Sequence, residues 1–261
     1  VLIRLVRSYL VIALAAMLAL LAIAVAASHW VTRPVERAWK QQRQFLSDAS
    51  HELKTPLTVI LSNAELLEGA GLTDKPARWS GNIRLEAEQM RTLVEQMLTL
   101  ARADNGVRPA AMEPVNLSDV ATDCALAFEP VAFEAGKPLE DHIADEVAVT
   151  GDADRLRRLI SILLDNAVKY GAEGGAISLT LEKTERQARL TVANPGEPIP
   201  PEHLAHLFER FYRADSSRGE KSGFGLGLSI ADTIAKEHKG TLRAESDAVS
   251  TRFIFTMPLK K

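Results

Sequence analysis

The chain has a single cysteine, Cys124, among its 261 residues. That excludes an internal disulfide framework and any all-cysteine metal site. The thiol falls in an apolar stretch, Ala121 to Phe128, where a buried structural role is expected. A large excess of either positive or negative residues is also lacking. The formal net charge of −3 gives no basis for nucleic-acid binding.

What is present begins with one long apolar run. Ser8 to Ser28 contains no charged residue and consists mostly of Leu, Ala, Val and Ile. A helix of about 20 such residues crosses a hydrocarbon core. A secretory signal would have a shorter apolar core, and no clear cleavage site comes after this one. Residues 1–28 are therefore predicted to hold a transmembrane helix. Arg33, Arg37, Lys40 and Arg43 after it favour a cytoplasmic position for the downstream residues, although Arg4 and Arg7 weaken that signal. Val1 is not methionine, so an upstream transmembrane helix and sensor domain are the expected resolution of that conflict. Residues 29–44 read as a short polar helical linker containing Pro34.

The stretch from Phe45 to Leu57 organises the rest. Leu46, Ala49, Leu53, Leu57, Ile60, Ala64 and Leu67 recur at steps of three and four, the stripe of a bundle helix. His51 projects about 200° from that stripe at 100° per residue, onto the wet face. Glu52 is also off the stripe, and Thr55 lies one turn beyond His51 on the same face. Pro56 lacks an N–H and is expected to bend or loosen the helix there. A histidine alone on a surface helix is ordinarily just solvated.

The run Ala49-Ser-His-Glu-Leu-Lys-Thr-Pro-Leu57 closely resembles the phospho-acceptor box of sensor histidine kinases. The resemblance implies that His51 accepts phosphate and that Glu52 acts as general base. It further implies that Thr55 positions a water for dephosphorylating a partner. Family members often carry a relay domain of some fifty residues before this box, for which the linker here has no room.

Gly69-Ala-Gly71 and Asp74-Lys-Pro76 read as a turn. A second amphipathic helix comes next, with Ile83, Ala87, Met90, Val94, Met97 and Ala101 at steps of four and three. Two helices with one apolar face each bury too little alone. Two copies would make a four-helix bundle, hence a homodimer. An intrachain hairpin packed on the rest of the chain is the alternative; the resemblance favours the dimer over residues 45–105.

Beyond Asn105-Gly-Val-Arg-Pro109, helices and short strands mix. Asn116 or Ser118 can cap a helix reaching about Phe133, and Asp152 one that runs to Tyr170. A further helix is expected over Ser229–His238. Strands are expected at Lys137–Ile143, Glu146–Thr150, Ala176–Leu181, Arg189–Ala193, Thr241–Ser246 and Thr251–Met257. The mixture predicts an α/β two-layer sandwich over residues 112–261.

Four stretches of this region resemble the ATP-binding boxes that histidine kinases share with gyrase-type ATPases, Hsp90 and MutL. The first is Leu163-Leu-Asp-Asn-Ala-Val-Lys-Tyr170. The resemblance assigns Asn166 to Mg2+, brings Lys169 to the nucleotide phosphates and counts Tyr170 among the nucleotide-binding residues. The second is Asn194-Pro-Gly-Glu-Pro-Ile199, where Asn194 and Gly196 stand at the positions of an adenine-reading Asp–x–Gly. An Asn carbonyl oxygen can still accept the hydrogen bond of an exocyclic amine. Ile199 closes that box. The third, Leu207-Phe-Glu-Arg-Phe-Tyr-Arg213, would anchor a lid through Phe208 and Phe211 and bring Arg213 towards the phosphates. The fourth, Gly223-Phe-Gly-Leu-Gly-Leu228, includes Gly223, Gly225, Leu226 and Gly227 and opens a helix. Alternating glycines let backbone N–H groups approach phosphate oxygens. The spacing is neither a Walker A loop nor a dinucleotide fingerprint.

One position departs from the family pattern. A second Mg2+-holding Asn usually stands four residues before the first, and here that position is Ile162. Water can replace one amide oxygen on Mg2+, so weaker Mg-ATP binding is expected. The resemblance therefore implies a membrane-anchored, dimeric histidine kinase. It would phosphorylate His51 from ATP with Mg2+ and pass the phosphoryl group to a response-regulator aspartate. The competing expectation, supported by Ile162, is a nucleotide-binding scaffold with little kinase activity that acts mainly as a regulator phosphatase.

Overall fold

The computed structural model describes residues 14–18, 20–21, 45, 49, 52–67, 76–104, 112–213 and 223–260. The chain divides into two compact units, Val1–Thr55 and Pro56–Lys261.

In the first unit, residues 14–18 and 20–21 of the predicted apolar run are helical, and Leu14, Met17, Leu18, Leu20 and Leu21 are exposed. The rest of that run, the linker and His51 lie outside the described residues. Among the described residues no helix is long and apolar enough to cross a membrane. Ala49 is helical and buried.

Residues 52–67 form helix α1, and it continues unbroken past Pro56. Helix α2 spans Pro76–Asp104. Pro76 is its first residue, where a missing N–H has no intrahelical partner to lose. Asn63 on α1 donates to Val59 O at 2.8 Å and accepts from Asn82 Nδ2 of α2 at 3.3 Å, tying the hairpin together. Among the described side chains of α2 the fully buried ones are Leu93 and Leu100, one heptad apart. Val94, placed on the stripe by sequence, is 43% exposed. Leu57, Leu61, Leu66, Leu85 and Leu98 are exposed as well. Each helix thus has more apolar surface than its intrachain contacts cover.

The remaining elements are β1 (Glu113–Asn116), α3 (Leu117–Glu134), β2 (Leu139–Ile143), β3 (Ala148–Gly151), α4 (Ala153–Tyr170), β4 (Ile177–Lys183), β5 (Gln187–Asn194), α5 (Pro201–Leu204), α6 (Gly227–Glu237), β6 (Thr241–Ser246) and β7 (Thr251–Pro258). Five strands form one sheet in the order β2-β4-β5-β7-β6, parallel only between β2 and β4. Strands β1 and β3 make a separate antiparallel pair. Alternate residues face the core, as a half-covered sheet requires. Leu179, Val192 and Phe253 align as one rung, and Leu181, Leu190, Phe255 and Leu242 as the next. All seven are buried beneath α3, α4 and α6. This is the expected two-layer sandwich.

Caps set the helix starts. Asn116 Oδ1 accepts from Ser118 N at 3.1 Å, and Asp152 Oδ1 accepts from Asp154 N and Arg155 N, both at 3.1 Å. The start of α4 is fastened to the end of α6. His238 Nε2 accepts the Asp152 N–H at 3.0 Å while its Nδ1–H donates to Ile234 O at 2.8 Å, which fixes the ring's tautomer. Arg155 also pairs with Glu237.

Two strand starts differ from expectation. β3 begins after Glu146, whose φ of 51° is left-handed and cannot continue a strand. β2 begins after Lys137, which is 6% exposed and donates Nζ to Val168 O near the end of α4. Strand β1 and the single turn α5 carry no periodic signal and were not expected.

Candidate active site

Helix α4 is the spine of the candidate nucleotide site. Leu156, Leu159, Ile160, Leu163, Leu164 and Ala167 bury one face. Ile162, Asn166 and Lys169 lie on the opposite, half-buried side at i, i+4 and i+7, and Tyr170 is exposed beside them.

At the C-terminal end of α4, the chain leaves the helix against the end of β5. Ala172 N donates to Pro195 O at 2.7 Å, and a β-carbon on Gly196 would lie 3.4 Å from Tyr170 O. Asn194 ends β5 in the buried phase and is 4% exposed. Its Nδ2 donates to Pro195 O at 3.3 Å, which leaves Oδ1 as the acceptor end of the amide. Asn194 aligns in register with Thr251 and, through it, Ser246. Ser246 Oγ and Thr251 Oγ1 are 2.8 Å apart, and Ser246 Oγ accepts from Ile199 N at 2.9 Å. The hydrocarbon rungs of the sheet therefore end in a polar rung beside Asn194. Neither Thr251 nor Ser246 was expected at the site. The available signal was phase: Thr251 alternates with Phe253, Phe255 and Met257 on the buried face.

Midway along α4, a β-carbon on Gly227 would lie 3.4 Å from Ile162 Cγ2. The glycine-rich turn therefore sits across Ile162, one helical turn before Asn166. Leu226 is fully buried and precedes α6, whose start has no side-chain cap and no acidic residue in its first turn. Uncapped N–H groups at a helix start favour an anion. Gly225 has φ 69°, and a β-carbon there would meet Phe211 C and Tyr212 O at 2.8 Å. Phe211 N donates to Gly225 O at 3.0 Å. The third box thus meets the fourth through backbone.

Lys169 Nζ pairs with Asp165 Oδ2 at 2.7 Å. Both side chains are largely wet, so the pair is weak and Lys169 can exchange partners. Phe208 and Arg213 are half-buried, and among the described residues nothing lies within 4 Å of a β-carbon on Gly223. Glu52 is half-buried and Thr55 exposed in the other unit.

This geometry fits a nucleotide. An acceptor flanked by hydroxyls stands at the C-terminal end of α4, anion-receptive backbone lies across its middle at Ile162, and the Asn166 amide falls between them. No group of three or more His, Cys, Asp or Glu suited to a metal occurs among the described residues. Mg2+ held mostly by phosphate and water needs only one or two protein oxygens, and Asn166 fits that role.

Residues 151–261 match the family described as histidine kinase-, DNA gyrase B- and HSP90-like ATPase, and residues 41–106 match the His Kinase A (phospho-acceptor) domain. The chain belongs to the histidine kinase family. It is 35% identical over 92% of its length to the sensor protein DltS of Streptococcus agalactiae, and covers 60% of that protein. It is 36% identical over 88% of its length to the sensor histidine kinase CusS of Escherichia coli, and covers 48% of it. The fold also matches the solved histidine kinase ThkA, in complex with the response regulator protein TrrA. That match has a TM-score of 0.68 at 21% identity and covers 86% of this chain and 64% of the other. This histidine kinase chain thus contains both the phospho-acceptor and the ATPase domain, and spans about half to three-fifths of the two named relatives.

Proposed function

We propose that the chain is the kinase portion of a membrane-anchored sensor histidine kinase in a bacterial two-component system. Residues 45–105 would form its dimerisation and phosphotransfer domain, and residues 112–261 its catalytic domain. ATP binds with its adenine amine on Asn194 Oδ1 and its phosphates at Gly225–Gly227. A ring nitrogen of His51 attacks the γ-phosphorus, the bond to the ADP oxygen breaks, and Glu52 takes the imidazole proton. Asn166 holds Mg2+, which offsets phosphate charge when bound, and Lys169 adds a second positive charge after leaving Asp165.

The phosphoryl group then passes to an aspartate of a response-regulator receiver domain. ThkA, which shares the fold, has been solved in complex with such a regulator. Thr55, exposed on its helix, orients the water that later dephosphorylates the regulator. The uncovered apolar residues of α1 and α2 support a homodimer through a four-helix bundle. The apolar run supports an anchor in the plasma membrane, crossing once within this sequence, with the phosphotransfer and catalytic domains both cytoplasmic.

The observation that carries this reading is the convergence of Asn194, Asn166 and Gly225–Gly227 around one helix in a chain that also has a phospho-acceptor domain. Incubation with γ-labelled ATP tests it. Acid-labile, base-stable labelling is expected, absent in His51→Gln, which still binds ATP. Equal labelling of that variant would remove His51 as the acceptor.

A further inference from the structure

Between α5 and Tyr212 the backbone steps through a series of tight turns. His206 N donates to His203 O at 3.0 Å, Glu209 N to His206 O at 2.9 Å and Tyr212 N to Glu209 O at 3.4 Å. Side chains reinforce the same path. His203 Nδ1 and the Tyr212 hydroxyl are 2.6 Å apart, and both residues are half-buried. The His206 ring stands 5.5 Å from the Tyr212 ring, and its Nδ1 lies 2.8 Å from Glu209 Oε1. Tyr212 is thereby held to the turn at α5 by its ring tip and its ring face.

Tyr212 comes directly after Phe211, whose φ of 60° places a bulky residue in the left-handed region. Such a residue stays there only where its surroundings over-determine it. One restraint is the Phe211 N–H bond to Gly225 O. Another is Tyr212, whose carbonyl lies against Gly225 and whose hydroxyl reaches back to His203. Gly225 is two residues from the first residue of α6. Gly225 therefore ties the Phe211–Tyr212 backbone to the turn that leads into α6.

We propose that His203 and Tyr212 are positioning residues for phosphate binding: their hydrogen bond fixes Phe211 and Gly225, and so aims the first-turn amides of α6 at a nucleoside di- or triphosphate. The inference rests on the nucleotide reading of this turn. The hydrogen bond does not require one charge state of the ring. A bare Nδ1 accepts from the hydroxyl, and an Nδ1–H donates to it. Removing the interaction thus means removing a group. Tyr212→Phe deletes the hydroxyl and keeps the ring against His206.

Two ligands separate positioning from general damage. ADP uses the base-reading end and the phosphate turn, whereas adenosine uses only the former. In the full chain, Tyr212→Phe and His203→Ala are each expected to weaken ADP binding about threefold to tenfold, the loss of one hydrogen bond's net contribution. Adenosine binding stays at the original value. The KM for ATP rises in step with the ADP dissociation constant, and the labelling rate at saturating ATP stays within about twofold. The double variant is no weaker than either single one, and His203→Gln, whose amide can still reach the hydroxyl, recovers most of the affinity. Unchanged ADP binding in both single variants overturns the inference, as does additive loss in the double variant. Equal loss for ADP and adenosine also overturns it, because that marks general destabilisation. Failure of the unaltered chain to bind either ligand instead removes the nucleotide reading itself.

Discussion

Ile162 Cγ2 lies 3.4 Å from the point where a β-carbon on Gly227 would sit. Ile162 therefore faces the glycine-rich turn, on the same helix face as Asn166 and one turn before it. Ile162→Asn places an amide oxygen beside the proposed Mg2+ position. Ile162 is half-buried, so the desolvation cost falls below the ~1–3 kcal/mol of a fully buried, unpaired amide. A recovered ligand worth on the order of 1 kcal/mol corresponds to a several-fold lower Mg2+ requirement. Titration of Mg2+ at fixed ATP, with autophosphorylation as readout, checks this. A normal melting curve with an unchanged requirement refutes it.

Gly225→Ala is expected to be severe. The left-handed backbone alone costs an L-residue roughly 1–2 kcal/mol. The added methyl also meets Phe211 C and Tyr212 O at 2.8 Å, and backbone atoms cannot rotate away as a side-chain end can. ADP affinity falls and thermal stability falls with it, by roughly 2–8 °C per kcal/mol. Gly223→Ala is the control for stability, since among the described residues nothing lies within 4 Å of its β-carbon. Calorimetry on the two variants distinguishes them, and equal behaviour counts against the turn geometry.

His238→Ala tests the fastening between α4 and α6. It strips a hydrogen-bond partner from Asp152 N–H and from Ile234 O, and vacates a buried ring site. A destabilisation of about 1–3 kcal/mol is expected in chemical denaturation. Nucleotide affinity measured well below the transition is expected to be unchanged, because His238 lies at the far end of α6 from Gly227. A stability equal to the original chain would mean that water replaces both bonds.

Thr55→Ala addresses the second activity. The side chain is exposed, so stability is expected to change by less than about 0.5 kcal/mol. Autophosphorylation persists, while a phosphorylated regulator mixed with the variant decays several-fold more slowly. Identical regulator lifetimes would remove the assigned role of Thr55.

Local chemistry was legible in the sequence by itself. Asp152 caps the helix it was expected to cap, and of the two candidates Asn116 and Ser118 it is Asn116 that caps α3, since a cap depends only on side-chain oxygens and the next few N–H groups. The spacing of Leu156, Leu159, Leu163 and Ala167 in α4 and the alternation along β5 translate into buried faces, because helix and strand geometry turn spacing into direction. Tertiary structure decided the rest. The chain Glu113-Pro-Val-Asn116 has no strand pattern and becomes β1 because β3 offers it a partner. Leu93 and Leu100, rather than Val94, are buried on α2, because an amphipathic helix with apolar residues on two sides has its inner face chosen by its neighbours. Thr251 and Ser246 reach Asn194, and His203 reaches Tyr212, through sheet register and a loop path that no local spacing encodes. Register is set by which distant side chains fill the core together, a sum over contacts that exists only once the chain has folded.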